Sequence, residues 1–184
     1  MAASNHEGGR RAIIALGANL PHGELEGAAL LAAGLQTVAE AGLPIVRVSG
    51  VWESPAWPPN GPSGPQPDYV NAVAEAAVGG LAPEAALARL LAVEAAFGRE
   101  RRVRWAARTL DLDIIDFAGL VLDAPTLTLP HPRAHERPFV LAPLAEMAPE
   151  WRHPRLGKTA SELLAALPER ASARRTGPLL IGAI

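Results

Sequence analysis

Residues 98–117 read GRERRVRWAARTLDLDIIDF and bring two kinds of charge together. Five of the chain's sixteen arginines lie here, Arg99, Arg101, Arg102, Arg104 and Arg108, with Trp105 among them. Leu110-Asp111-Leu112-Asp113-Ile114 follows at once, a strict alternation of apolar and acidic residues. Successive side chains of a strand point to opposite faces, so Leu110, Leu112 and Ile114 share one face and Asp111 and Asp113 the other. Two carboxylates at that spacing lie roughly 7 Å apart at Cα. Unpaired they repel, and a hard divalent cation held between them removes the repulsion. Arginines feeding straight into such a pair suit a polyphosphate gripped by guanidinium groups and magnesium together. A solvated acidic face beside a basic loop accounts for the same residues, and the stretch alone leaves both readings open. Asp116 shares parity with Leu110, Leu112 and Ile114, so it is expected outside the acidic pair unless the strand bulges.

Three other places could do chemistry. Tyr69 and Asn71 alternate with Val70, Ala72 and Ala74, so an aromatic plate and an amide that both donates and accepts project from one face. A core-edge tyrosine beside a solvated asparagine is the plain alternative. Thr126–Arg133, TLTLPHPR, is extended and ends in a rigid His-Pro turn at His131. Gly17-Ala18-Asn19 turns from a strand toward a helix, where backbone amides can hold phosphate, but no GKS or GKT follows and this is no Walker loop. Packing explains Gly17 equally well.

The elements that must carry these residues follow from periodicity. Ala12–Leu16 is a short apolar run, as in a buried central strand, and a helix is expected over 22–41. Ile45–Glu53 reads as one strand and Asp68–Glu75 as another. Between them Pro55–Pro67, PAWPPNGPSGPQP, holds six of the eighteen prolines and exceeds most structural connections. Its Trp57 either folds down when substrates bind or packs permanently on the domain as part of a rigid flap. Pro83 suits the first turn of a helix running to Phe97, and Glu94 near its C-terminal end calls for a cationic answer, for which Arg99 and Arg101 are at hand. A strand follows over 109–117. Helices are expected over Phe139–Ala148 and Lys158–Leu167, and Arg174–Ile184 either docks or frays.

Composition sets bounds. At 184 residues with 49 % hydrophobic content, one domain with a sizeable core is expected over 11–170, between a disordered start at 1–10 and a tail at 171–184. The formal charge of −2 gives no general attraction to nucleic acid or membrane. The absence of cysteine excludes disulfides and thiolate chemistry. With no signal-like apolar start and no 18-residue apolar run, a cytoplasmic protein is expected.

The order β-α-β-β-α-β, with helices added afterwards, suggests an α+β fold of ferredoxin-like type, an antiparallel sheet with helices on one face and extra C-terminal helices. That fold decides no function. The motifs go further. LGANL at 16–20, ESP at 53–55, PDYVNAV at 67–73, GRERRVRW at 98–105, RTLDLDI at 108–114, LPHPR at 129–133 and RPFVLAPL at 137–144 resemble the 6-hydroxymethyl-7,8-dihydropterin pyrophosphokinase family across nearly the whole chain.

That resemblance implies transfer of the terminal diphosphate of ATP, the co-substrate, to the pterin's hydroxymethyl oxygen, with AMP released. It implies that Asp111 and Asp113 hold two Mg2+ ions, and that Arg99 and Arg108 position and neutralise the phosphates. Arg101 matches a mobile catalytic loop, and Trp105 closes over the site against both substrates. Glu94, Ile114, Thr128, His131 and Arg137 fall on ATP-side positions. Tyr69 and Phe139 match the aromatics that sandwich the pterin, Asn71 the amide that reads its edge, and Ser54, Pro55 and Ala56 the segment lining it. Arg102 and Arg104 are expected to be solvated bystanders. ATP and the pterin are the expected partners, with no nucleic acid, no membrane and a monomeric state. The chain departs from the family's usual pattern at Ala106-Ala107, at Leu91, at Pro132 and in the length of the 55–67 loop. The last dozen or so residues lie outside the resemblance. A non-catalytic ferredoxin-like module binding nucleotide or RNA is the alternative; it would need aromatics on an open sheet face to stack bases. A metal-dependent nuclease is a third reading.

Overall fold

The computed structural model describes residues 9–56, 66–98 and 108–182. Arg99, Arg101, Arg102, Arg104, Trp105, Ala106-Ala107 and Trp57 lie outside the described residues, as does the start apart from Gly9 and Arg10. The core is a six-stranded antiparallel sheet. Strand β1 (Arg11–Ala18) lies between β4 (Tyr69–Ala77) and β5 (Asp111–Phe117). Beyond β4 come β2 (Ile45–Val48) and β3 (Val51–Ser54), and then β8 (Arg174–Gly177) beside β3. A two-stranded ribbon, β6 (Leu122–Asp123) with β7 (Thr128–Leu129), completes the strands.

The sequence of β1, RAIIALGA, is apolar at both parities, so both faces of the sheet must be covered. On the first face, Ala12, Ile14, Leu16, Ala72, Ala74, Leu112 and Ile114 pack against α1 (Gly27–Glu40) and α2 (Pro83–Ala96). Those helices bring the apolar stripes Leu30, Leu31, Leu35, Val38 and Leu90, Val93. On the second face, Ile13, Val73 and Ile115 pack against α3 (Pro138–Met147) and α4 (Ala160–Ala166). The two helices of the β-α-β-β-α-β unit thus share one face, and the added C-terminal helices α3 and α4 cover the other, where Ile13, Val73 and Ile115 are as apolar as the residues between them. No helix is long and apolar enough to cross a membrane, among the described residues.

Three boundaries differ from the expectation. Helix α1 begins at Gly27 rather than 22, because His22 and Leu25 form a small bridge around Gly23, which has φ +58°. The expected strand 45–53 is broken at Ser49-Gly50. There Ser49 takes over a ladder position, its Oγ accepting from Val73 N at 2.9 Å and its N donating to Val73 O at 2.9 Å. The third difference is in β5. Ile14 pairs with Ile114 but Ile13 pairs with Asp116, so Ile115 is an extra residue in a β-bulge. Asp116 is turned by that bulge onto the face of Asp111 and Asp113, which corrects the parity expected for it.

The tail docks as an edge strand. Glu146 of α3 accepts from Arg175 Nε at 2.7 Å, Trp52 Nε1 at 2.7 Å and Gly50 N at 3.1 Å. Partial burial works against its charge, but these donors outweigh it and hold Glu146 below the ordinary carboxylate range. Gly50 allows the close approach, since a Cβ there would lie 2.7 Å from Gly177 O. Glu146→Ala removes three donors' common acceptor and is expected to lower stability by about 2 kcal/mol, measured as a shift in urea midpoint at constant slope. An unchanged midpoint would show that β8 is held by its backbone ladder alone.

Candidate active site

The second face of β1 tapers along the strand as Ile13, Ala15 and Gly17, each flanked by one residue of β4 and one of β5. The rows read Glu75–Ile13–Asp116, Val73–Ala15–Asp113 and Asn71–Gly17–Asp111. Helix α3 packs over the Ile13 end. At the Gly17 end the middle strand offers no side chain between an amide on one side and a carboxylate on the other.

The amide side is built by Asn71, only 3 % exposed. Its Nδ2 donates to Ser54 Oγ at 3.0 Å, which leaves Oδ1 turned toward Gly17, 3.4 Å from where a Cβ would stand. Tyr69 borders the same spot, its ring 3.7 Å from that position. The structure thus brings Tyr69, Asn71 and Ser54 together. Ala56 is half-buried and Pro55 exposed beyond them.

The carboxylate side is built by Asp111 and Arg108, whose guanidinium pairs with Asp111 Oδ2. Burial opposes the charge on Arg108, but Asp111, with smaller contributions from Tyr69 and Asp113, outweighs it and raises the pKa above the ordinary value. Asn19 fixes the backbone that carries this arginine. Its Oδ1 accepts from Arg108 N at 2.8 Å, and Asn19 N and Leu20 N both donate to Arg108 O at 3.0 Å. Its Nδ2 reaches Gln66 Oε1 and Pro67 O, each at 3.2 Å. Neither Asn19 nor Gly17 carried a role in the sequence reading. The LGAN turn was the available signal, but the contacts that give it meaning come from residues 47 and 89 positions away.

Asp113 lies one row inward, with its side chain 43 % exposed. His131 Nε2 and Arg137 Nη1 each stand 3.9 Å from Asp113 Oδ2. His131 is placed by its own backbone, since His131 N donates to Ile115 O, the carbonyl of the bulge residue, at 2.9 Å. Its Nδ1 accepts from Arg133 N at 3.1 Å, so in the neutral ring Nε2 carries the proton on the side of Asp113. Burial lowers the His131 pKa, Asp113 opposes that, and Arg137 and Arg133 add to the lowering, so the ring is neutral at neutral pH. Arg137, at the start of α3, lies 5.6 Å over the ring of Phe139. Burial lowers its pKa, against the pull of Asp113.

Two expected ATP-side residues face elsewhere. Ile114 puts its side chain into the first-face core, so only its backbone is left for a nucleotide. Glu94 is 1 % exposed and accepts from Leu112 N at 2.8 Å, tying the end of α2 to the amide between the two acids. Thr128 sits half-buried in the β6–β7 ribbon opposite Asp123. Among the described residues no group of three or more histidines and acids gathers as a metal site. Two carboxylates on one face do fit magnesium, which takes one or two from protein and fills the rest of its shell with phosphate oxygens and water.

A family model described as 7,8-dihydro-6-hydroxymethylpterin-pyrophosphokinase matches residues 13–149. A 2-amino-4-hydroxy-6-hydroxymethyldihydropteridine pyrophosphokinase of Pseudomonas aeruginosa is 42% identical over 168 residues, 91% of this chain and 98% of that one. One of Synechocystis is 46% identical over 124 residues, which cover 67% of this chain and 60% of the relative's length. Among solved structures, a Plasmodium falciparum HPPK-DHPS triple mutant superposes with TM-score 0.66 at 15% identity, over 94% of this chain and 48% of that one. The chain thus spans about half of that longer protein, and the likeness to it is one of fold.

Asn19→Ala leaves the amide of Arg108 without its acceptor. The expected cost is about 1–2 kcal/mol of stability, read from the urea midpoint. Asn19→Asp keeps an acceptor for that amide but sets a carboxylate oxygen against Gln66 Oε1 and Pro67 O, and is expected to recover only part of it.

Proposed function

The chain belongs to the 7,8-dihydro-6-hydroxymethylpterin-pyrophosphokinase family, and from that premise we propose that it transfers the terminal diphosphate of ATP to 6-hydroxymethyl-7,8-dihydropterin. The bond formed joins the hydroxymethyl oxygen to the β-phosphorus. The bond broken joins that phosphorus to the oxygen bridging it to the α-phosphate, and AMP leaves. The observation that carries the reading is the Asn71–Gly17–Asp111 row, which sets an amide acceptor, a bare backbone and an arginine-paired carboxylate side by side.

In this reading the pterin lies over Gly17 beside Tyr69, and Asn71 Oδ1 accepts a hydrogen bond from its edge. Arg108 faces the transferring group, and Arg137 with the Nε2–H of His131 holds phosphate oxygens on the Asp113 side. Such transfer depends on in-line positioning and on charge neutralisation, both of which fixed guanidinium groups supply. Asp111 and Asp113 would hold magnesium, which when bound neutralises phosphate charge and polarises the transferring group. The strand order β5-β1-β4-β2/β3, antiparallel throughout, supports a ferredoxin-like description of the sheet. A base-stacking nucleic-acid module finds no support, because such a module needs an open sheet face and helices pack on both faces here.

With ATP, magnesium and the hydroxymethylpterin, the expected product is AMP; ADP, or turnover that ignores the pterin, would sink the proposal. Asp111→Ala and Asp113→Ala are each expected to lower kcat at least 100-fold, since both carboxylates bear on developing charge, with melting temperature nearly unchanged. Arg108→Ala is expected to lower kcat about 100-fold while the pterin Kd moves less than threefold. Equal losses of rate and pterin affinity would assign Arg108 to binding instead.

A further inference from the structure

Asp116 is buried to 6 % exposure, shares a face with Asp111 and Asp113, and yet takes no part in the site. Its Oδ2 accepts from Gly119 N at 3.2 Å. Its Oδ1 is buried without a hydrogen-bond partner. Burial raises its pKa above the usual carboxylate range, and the Gly119 amide pulls the other way. A carboxyl group held so awkwardly calls for a reason, and the register of β5 supplies one.

Were β5 paired without the bulge, Ile115 would face Ile13, and Asp116 would face Ala12 on the first face, among the apolar core residues. Burying a carboxylate among apolar side chains is costly, which favours the bulged register. In that register Asp116 finds the Gly119 amide, Phe117 takes the core position opposite Ala12, and Ile115 becomes the extra residue. The carbonyl of Ile115 accepts from His131 N at 2.9 Å, and His131 stands 3.9 Å from Asp113.

We propose that Asp116 is a positioning residue for the nucleotide side of the site: by fixing the β5 bulge through the Gly119 amide, it holds the Ile115 carbonyl that docks His131 beside Asp113. The proposal rests on the functional reading above only in naming ATP as the substrate affected. Asp116 acts at one remove and touches no reacting atom. Its loss therefore separates the two substrates, since Tyr69, Asn71 and Ser54 on β4 and β3 stay in place.

The test compares Asp116→Leu with Asp116→Asn, which keeps an acceptor for the Gly119 amide. Hydrogen exchange of the His131 amide is measured on the free protein, and kinetics with each substrate. In Asp116→Leu the His131 amide is expected to exchange at least tenfold faster and KM for ATP to rise about tenfold. The pterin KM and kcat are expected to stay within threefold of their starting values, and Asp116→Asn to lie near wild type in all of them. Unchanged exchange at His131, a parallel rise in both KM values, or an Asn variant as impaired as Leu would overturn the proposal. If Asp116→Leu does not fold, Asp116→Ala decides. It removes the acceptor of the Gly119 amide without adding bulk, and faster His131 exchange supports the proposal while unchanged exchange overturns it. If the protein makes no AMP from ATP and pterin, the functional reading fails, and the exchange measurement alone still decides what Asp116 does.

Discussion

The taper of one strand organises this molecule. β1 must be buried on both faces, and on its second face the side chains shrink from Ile13 through Ala15 to Gly17. Where the side chain is large, α3 packs on it; where there is none, Asn71 and Asp111 flank a bare, buried backbone. A side chain at 17 would meet Asn71 Oδ1 and the Tyr69 ring.

The electrostatics follow the same geometry. Carboxylates on alternate residues of β5 share the open face, and each meets cations from a different part of the chain. Arg108 comes to Asp111 from the same strand's approach, held by Asn19 at the end of β1. Arg137 and His131 come to Asp113 from the segment that enters α3. Arg108 pairs directly with Asp111, whereas His131 and Arg137 each stand 3.9 Å from Asp113.

Much of this was legible in the sequence, where the signal was local. The acidic alternation from Leu110 to Ile114, the projection of Tyr69 with Asn71, and the two long amphipathic helices all depend on neighbours a few residues away. What escaped depends on partners far along the chain. The break at Ser49-Gly50 has its cause in Val73 and in the close passage of Gly177. Asn19 looks like any turn residue until Arg108 and Pro67 are beside it. The tail RRTG carries no strand periodicity at all; its place is set by Glu146 on α3 and Glu53 on β3, which draw in Arg175 and Arg174.

Asp116 marks where the two kinds of information meet. Period-two counting is sound as long as a strand stays regular, and it holds from Leu110 through Ile114. It then assigns a carboxylate to the apolar face, and that contradiction is itself a signal. A chain resolves such a conflict either by burying the charge at great cost or by inserting one residue into the ladder, and the second is far cheaper. The residue that breaks the pattern therefore locates the bulge. In this protein the carbonyl of the extra residue, Ile115, is the one on which His131 docks.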